Sequence, residues 1–199
     1  MPEPRPEDVL QFWFGAPGDP PLRNSEKWYK KSDDFDDDCR ARFGDAIDAA
    51  VRGDLADWRK TTRGRMALVI LLDQFSRNVH RGTSRAFAQD PLARDVALEA
   101  ITLGDERVLT AVERSFLYMP LMHSEDVDLQ HRCVAAFTRL LSDSPADLKA
   151  YIANGLDYAK RHEEIVARFG RFPHRNKVLG RPSTKEEETF LQQPGSSFA

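Results

Sequence analysis

The chain has 199 residues, 41% hydrophobic and 31% charged, which is enough for a sizeable core in one soluble globular domain. A net charge of −3 argues against nucleic-acid binding through an overall positive field, and the two cysteines, Cys39 and Cys133, have no metal-knuckle or redox spacing. The N-terminal Met1–Asp8 lacks the apolar core of a secretory signal, and the longest apolar run, Met66–Leu72, is far shorter than the ~20 residues that span a bilayer, so the expectation is a cytoplasmic protein with no membrane segment.

Helical periodicity dominates, and alternating strand patterns are nearly absent. Pro6 to Phe14 reads as a short helix stopped by Gly15, with Val9, Leu10 and Trp13 inward, followed by a Pro/Gly loop to Leu22. Ser32 is placed to cap a helix carrying Phe35, Cys39, Phe43, Ala46, Ile47 and Ala50, ending near Gly53. Cys39 shares that apolar face and is expected as a small core residue. The acidic run Asp33, Asp34, Asp36, Asp37 and Asp38 falls in the first turns, where solvation and the helix dipole explain it better than a cation site.

Met66 to Phe75 is apolar nearly all round and is expected as the central buried helix. Asp90 and Pro91 read as an N-cap and first helical residue of a helix stopping at Gly104. Another runs from Thr110 to about Met119, ended or kinked by Pro120. Ser124 is expected to cap a helix from Glu125 to about Leu141, with Leu129, Cys133, Ala136, Phe137 and Leu140 inward. Pro145 is expected to open a long helix to Phe169, and Thr184-Lys-Glu-Glu187 has capping-box spacing for a last short one. Short connections make these neighbours antiparallel, so the expected fold is all-α, a single-domain array of helical hairpins over 1–192, with a disordered tail over 193–199.

The densest chemistry is Arg168-Phe-Gly-Arg-Phe-Pro-His-Arg-Asn176, followed by Gly180-Arg181-Pro-Ser-Thr184. An earlier segment, Gln74-Phe-Ser-Arg-Asn78 and then Arg81-Gly-Thr83, echoes it. Each copy sets an Arg-Asn pair, an Arg-Gly pair and helix-opening hydroxyls at a loop, groups suited to holding a carboxylate or phosphate. The candidate ligand set is Arg77, Asn78, Arg81, His123, Glu125, Arg171, His174, Arg175, Asn176 and Arg181, around a small anionic molecule. The structural alternative, equally weighted, is that these arginines cap helix ends, pair with Asp73 or Glu125 and lock their loops.

His123, His174 and Glu125 are the candidates for acid/base work, since imidazole titrates near neutral pH. His123-Ser-Glu125 matches half of a zinc-deaminase signature without its cysteine half, and His162-Glu163 does not extend to a zinc-protease motif, so no metal is expected. Nucleophile-elbow, phosphate-loop and dinucleotide-binding glycine patterns are all missing, which leaves no cofactor to expect. The phenylalanines among the basic residues of Arg168–Arg175 superficially suit single-strand stacking, but anchoring a loop in a core is the commoner use, and the negative net charge disfavours nucleic acid. A peptide or protein partner seated in a groove between stacked hairpins is the third reading.

Val9-Leu-Gln-Phe-Trp-Phe-Gly15, Leu71-Leu-Asp-Gln-Phe-Ser-Arg-Asn78, Ala86-Phe-Ala-Gln-Asp90, Phe116-Leu-Tyr-Met-Pro-Leu-Met-His-Ser-Glu-Asp126 and Arg168–Asn176 together resemble domain-of-unknown-function family 924 over almost the whole chain. The resemblance implies a single helical domain of the tetratricopeptide-like kind and carries no established activity. It maps family motif positions onto Asp73, Gln74, Arg77, Asn78, Arg81, His123, Ser124, Glu125, Arg171, His174, Arg175, Asn176 and Arg181. One departure is Ser76, where the family pattern implies proline.

Overall fold

The computed structural model describes residues 4–197, and its regular structure is helical, with no strand among the described residues. The helices are α1 (Pro6–Phe14), α2 (Ser25–Tyr29), α3 (Asp33–Arg52), α4 (Thr62–Val69), α5 (Ser76–Val79), α6 (Asp90–Leu103), α7 (Ala111–Met122), α8 (Val127–Asp143), α9 (Lys149–Phe169) and α10 (Lys185–Leu191). Their ends follow local chemistry. The Ser32 hydroxyl accepts from the Phe35 N–H at 3.3 Å, and α3 stops at Gly53 with φ +85°. Thr110 with Glu113 and Thr184 with Glu187 close reciprocal capping boxes on α7 and α10.

The stretch Met66–Leu72 is at most 4% exposed at every residue, so it contributes the largest continuous share of the core, at about 1.5–3 kcal/mol per large side chain. Around it, α1, α6 and α7 pack on α4, and α3 packs on α5 and on the Ile70–Phe75 turn between α4 and α5. Trp13, Phe43, Phe75 and Phe116 interlock there, with Trp13 and Phe116 edge to face at 5.5 Å and Phe43 stacked on Phe75 at 4.8 Å. The hairpin α8–α9 closes one side, packed on α7. A smaller apolar cluster of Ile165, Val166 and Phe172 lies beyond it, beneath the basic segment.

The structure differs from the sequence reading at several ends. The central helix is not α-helical throughout: Ile70–Phe75 is a π-turn joining α4 to α5, and the Ser76 hydroxyl donates to the Leu71 carbonyl at 3.3 Å beneath it. Pro120 neither ends nor starts a helix but lies inside α7, which continues to Met122. The cap of α8 is Asp126, whose carboxylate accepts from the Leu129 N–H at 3.1 Å, in place of Ser124. The long helix starts at Lys149 rather than at Pro145. Asp90 does not cap α6; its carboxylate is drawn to arginines instead. Asp36 leaves the solvated acidic face and is buried. Cys39 is fully buried as expected, and burial pushes its thiol up to about 12.

No described helix is long and apolar enough to cross a membrane. After α10 the Ser196 hydroxyl donates to the Leu191 carbonyl at 3.1 Å, while residues 198–199 of the expected tail and Met1–Glu3 lie outside the described residues.

Candidate functional site

The two echoing segments meet at one carboxylate. Arg77 leaves the π-turn with Nη2 3.0 Å from Asp90 Oδ1, and Arg175, in the short turn Pro173–Arg175, sets Nη1 3.0 Å from Asp90 Oδ2. Both guanidinium groups lie over the Phe87 ring, at 5.7 Å for Arg77 and 4.6 Å for Arg175. Arg175 also lies over the Phe172 ring at 4.5 Å, so the group packs against two aromatic faces. Two cations this close repel unless an anion is shared between them, and Asp90 supplies it. Burial pulls the Arg175 guanidinium down to about 10, with Asp90 opposing and Arg77 adding to the fall, which leaves it protonated at neutral pH. Its Nε is buried without a hydrogen-bond partner.

Beside this pair lies a histidine held by a carboxylate. Asp73, on the π-turn, is fully buried, and its Oδ1 lies 2.8 Å from His123 Nδ1 and 3.0 Å from Arg77 Nη1. Burial alone would raise the Asp73 carboxyl, but Arg77 and His123 outweigh it and hold it well below the usual carboxylate range. Burial, with Arg77 adding, lowers His123 despite Asp73, so the imidazole is neutral beside an ionised Asp73–Arg77 pair. A carboxylate only accepts, so Nδ1 carries the ring proton and Nε2 is left as an acceptor. A π-turn moves side chains off the faces an α-helix would give them, and such turns recur at functional sites. Here it carries Asp73 to α7.

His123 opens on a groove of about 450 Å³ between the turn Ser84–Phe87, the start of α6, the end of α7 and Arg175–Leu179. Phe87, Ala88, Pro91, Pro120 and Leu179 make its apolar wall. Ser84, Arg85, Asp90, Arg94, Arg175, His123, Ser124 and Glu125 supply its polar groups. A neutral imidazole anchored at Nδ1 can accept a hydrogen bond or a proton at Nε2 there.

The other residues singled out in the sequence are placed differently. Glu125 borders the groove but is gripped by Arg181 at 2.6 and 2.8 Å and by the Phe172 N–H at 2.8 Å; burial raises its carboxyl, and these bonds more than reverse that. Arg171 takes Glu187 bidentately at 2.7 and 2.8 Å and holds its carboxyl down to about 2. Asn176 accepts from Arg181 Nε at 3.0 Å and donates to Ser183 Oγ at 3.1 Å. Asn78 and Arg81 turn to Asp36, at 2.7 Å and at 2.6 and 2.9 Å, and line a separate depression with Lys31 and Arg40. His174 lies tilted against Phe172 at 5.6 Å and is absent from the groove wall; burial lowers it to about 4.

The pairing of arginines with Asp73 and Glu125 was legible as the loop-locking alternative. Missed altogether were Asp90 as the shared carboxylate, Phe87 as the stacking face and Arg94 at the rim. The run Ala86-Phe-Ala-Gln-Asp90 was the available signal, since a bulky aromatic three residues ahead of an acid sits oddly in a short turn. Among the described residues no group of three or more His, Cys, Asp or Glu is arranged to hold a metal ion.

The family described as "Bacterial protein of unknown function (DUF924)" matches residues 9–195. A solved structure of a protein of unknown function from Agrobacterium tumefaciens is similar at 38% identity, covering 94% of this chain and 96% of that one, with a TM-score of 0.80. A search of curated proteins returns no match.

Proposed function

The chain belongs to the DUF924 family, whose description gives no activity, and from the site itself we propose that the groove beside His123 binds a small organic anion. The observation that carries this reading is the cationic side of the groove, where Arg85 and Arg94 stand beside the protonated Arg175 guanidinium.

The charge count supports an anion. Asp73 and Asp90 offset Arg77 and Arg175, and Glu125 offsets Arg181. That leaves Arg85 and Arg94 at the rim, whose nearest carboxylates are Asp48 at 3.7 Å and Asp95 at 3.5 Å, both more than half exposed. Ion pairs of that kind are worth little and leave the cations available. The apolar wall then favours an organic anion over an inorganic one.

Thermal denaturation with a panel of aryl and alkyl carboxylates and inorganic phosphate tests the reading. An organic carboxylate at 100 times its Kd should add about 2.7 kcal/mol of stability. Arg94→Ala, at a partly exposed position, should keep the fold and weaken that ligand about tenfold. If no anion shifts the transition, the reading is wrong.

A further inference from the structure

Resting on that reading, we propose that the anion also carries a hydroxyl and an apolar body, making the ligand a hydroxylated aryl or alkyl carboxylate. Its hydroxyl donates to His123 Nε2, its carboxylate meets Arg175 and Arg94, and its body lies on Phe87, Pro91 and Leu179.

Three features of the groove dictate this. First, the acceptor is fixed. Asp73, completely buried and 2.8 Å from Nδ1, commits the ring proton to that nitrogen, and Arg77 at 3.0 Å keeps Asp73 an acceptor. Nε2 therefore offers a lone pair, and the group that meets it must bring a hydrogen. A bare carboxylate brings none and would be repelled there. Second, the same groove is lined by the guanidinium donors of Arg175 and Arg94, which suit an anionic group, and an anion cannot bring the hydrogen that Nε2 requires, so the anionic group and the hydroxyl of the ligand are separate groups. Third, Phe87, Pro91, Pro120 and Leu179 give the groove an apolar wall, so the body of the ligand is apolar. His123 lines the groove with its side chain 15% exposed, so most of the ring is kept out of water. A site built to accept from a hydroxyl rejects the analogue lacking it, because its own acceptor is then left unpaired.

Paired ligands test this directly: benzoate against 3-hydroxybenzoate and 4-hydroxybenzoate, and phenylacetate against 4-hydroxyphenylacetate, each titrated by calorimetry into the full chain. At least one hydroxylated acid should bind ten or more times tighter than its parent, and His123→Ala should abolish that advantage while retaining residual affinity for the parent acid. Long-range proton–nitrogen NMR of the wild-type histidines provides a readout independent of any variant, and the His123 ring should be protonated at Nδ1 at neutral pH. Equal binding of every parent and its hydroxylated partner, or a ring protonated at Nε2, overturns the hydroxyl proposal and leaves the anion reading standing. If none of these acids binds, the hydroxyl proposal falls, and the wider anion panel decides the anion reading by itself.

Discussion

Asp73 and Glu186 are both carboxylates paired with an arginine, yet their surroundings differ in kind. Asp73 is fully buried against Arg77 and His123, whereas Glu186 and Arg168 are 63% and 50% exposed. Removing one member of a buried ionic network strands the other, at a cost of about 3–5 kcal/mol, whereas an exposed pair contributes about 0–1 kcal/mol. Asp73→Asn should therefore lose about 3 kcal/mol in urea unfolding, while Glu186→Gln stays within about 0.5 kcal/mol of the parent. The substitution also replaces a pure acceptor with a group that can donate to Nδ1, so the His123 tautomer should no longer be fixed. An Asp73→Asn protein as stable as the parent would mean that the buried carboxylate is not an ionised partner of Arg77.

At the scale of elements, the two glycines lying inside helices in the first half of the chain separate conformational cost from packing need. Gly44 sits inside α3 with open space where a Cβ would go, whereas a Cβ on Gly64 in α4 would fall 2.0 Å from the Trp58 carbonyl oxygen of the preceding turn. Gly44→Ala should thus stabilise the protein by about 0.5–1 kcal/mol, the usual gain inside a helix. Gly64→Ala should destabilise it by several times that amount, since backbone rather than a flexible side chain must move. Thermal melts of the two variants should shift in opposite directions, and a shared sign would refute this account of the turn's packing against α4.

The same scale shows what could be read in advance. Helices announced by a local cap, such as Ser32 to Gly53 and Thr184 to Glu187, were legible because all the bonds involved span three or four residues. Ser124 and Pro145 misled, and Pro120 left the end of its helix open, because several local signals competed within a few residues and tertiary packing chose among them. The π-turn left no mark in the apolar run that contains it. In the site, the internal echo marked Arg77 and Arg175 as related positions, but their meeting at Asp90 was not legible. Which arginines would instead be consumed by Asp36, Glu125 or Glu187 was not legible either, because those partners lie 16 to 56 residues away along the chain.

For the molecule as a whole, burial acts on the histidines in one direction. Burial lowers His80, His123, His162 and His174, the last to about 4. A group whose pKa is lower folded than unfolded binds its proton more readily in the unfolded chain, so its contribution is intact above about pH 6.5 and is lost as pH falls toward the folded value. The depressed carboxyls of Asp36, Asp73, Asp105, Glu125 and Glu187 act with the same sign, but only below the ordinary carboxylate range, at about pH 4. Acid loss of stability should therefore come in two stages, a histidine stage between about pH 6.5 and 4 and a carboxylate stage beneath it. His174 is the histidine to remove, since it lies off the groove wall and does not touch Asp73. Its share of the first stage is about 2–3 kcal/mol by pH 4, so urea unfolding of His174→Gln should show a flatter stability profile between pH 6.5 and 4 and an unchanged one below. An unaltered slope in the upper window would show that the imidazole is already protonated in the folded protein, and that the interior beneath the basic segment is more polar than its packing around Phe172 implies.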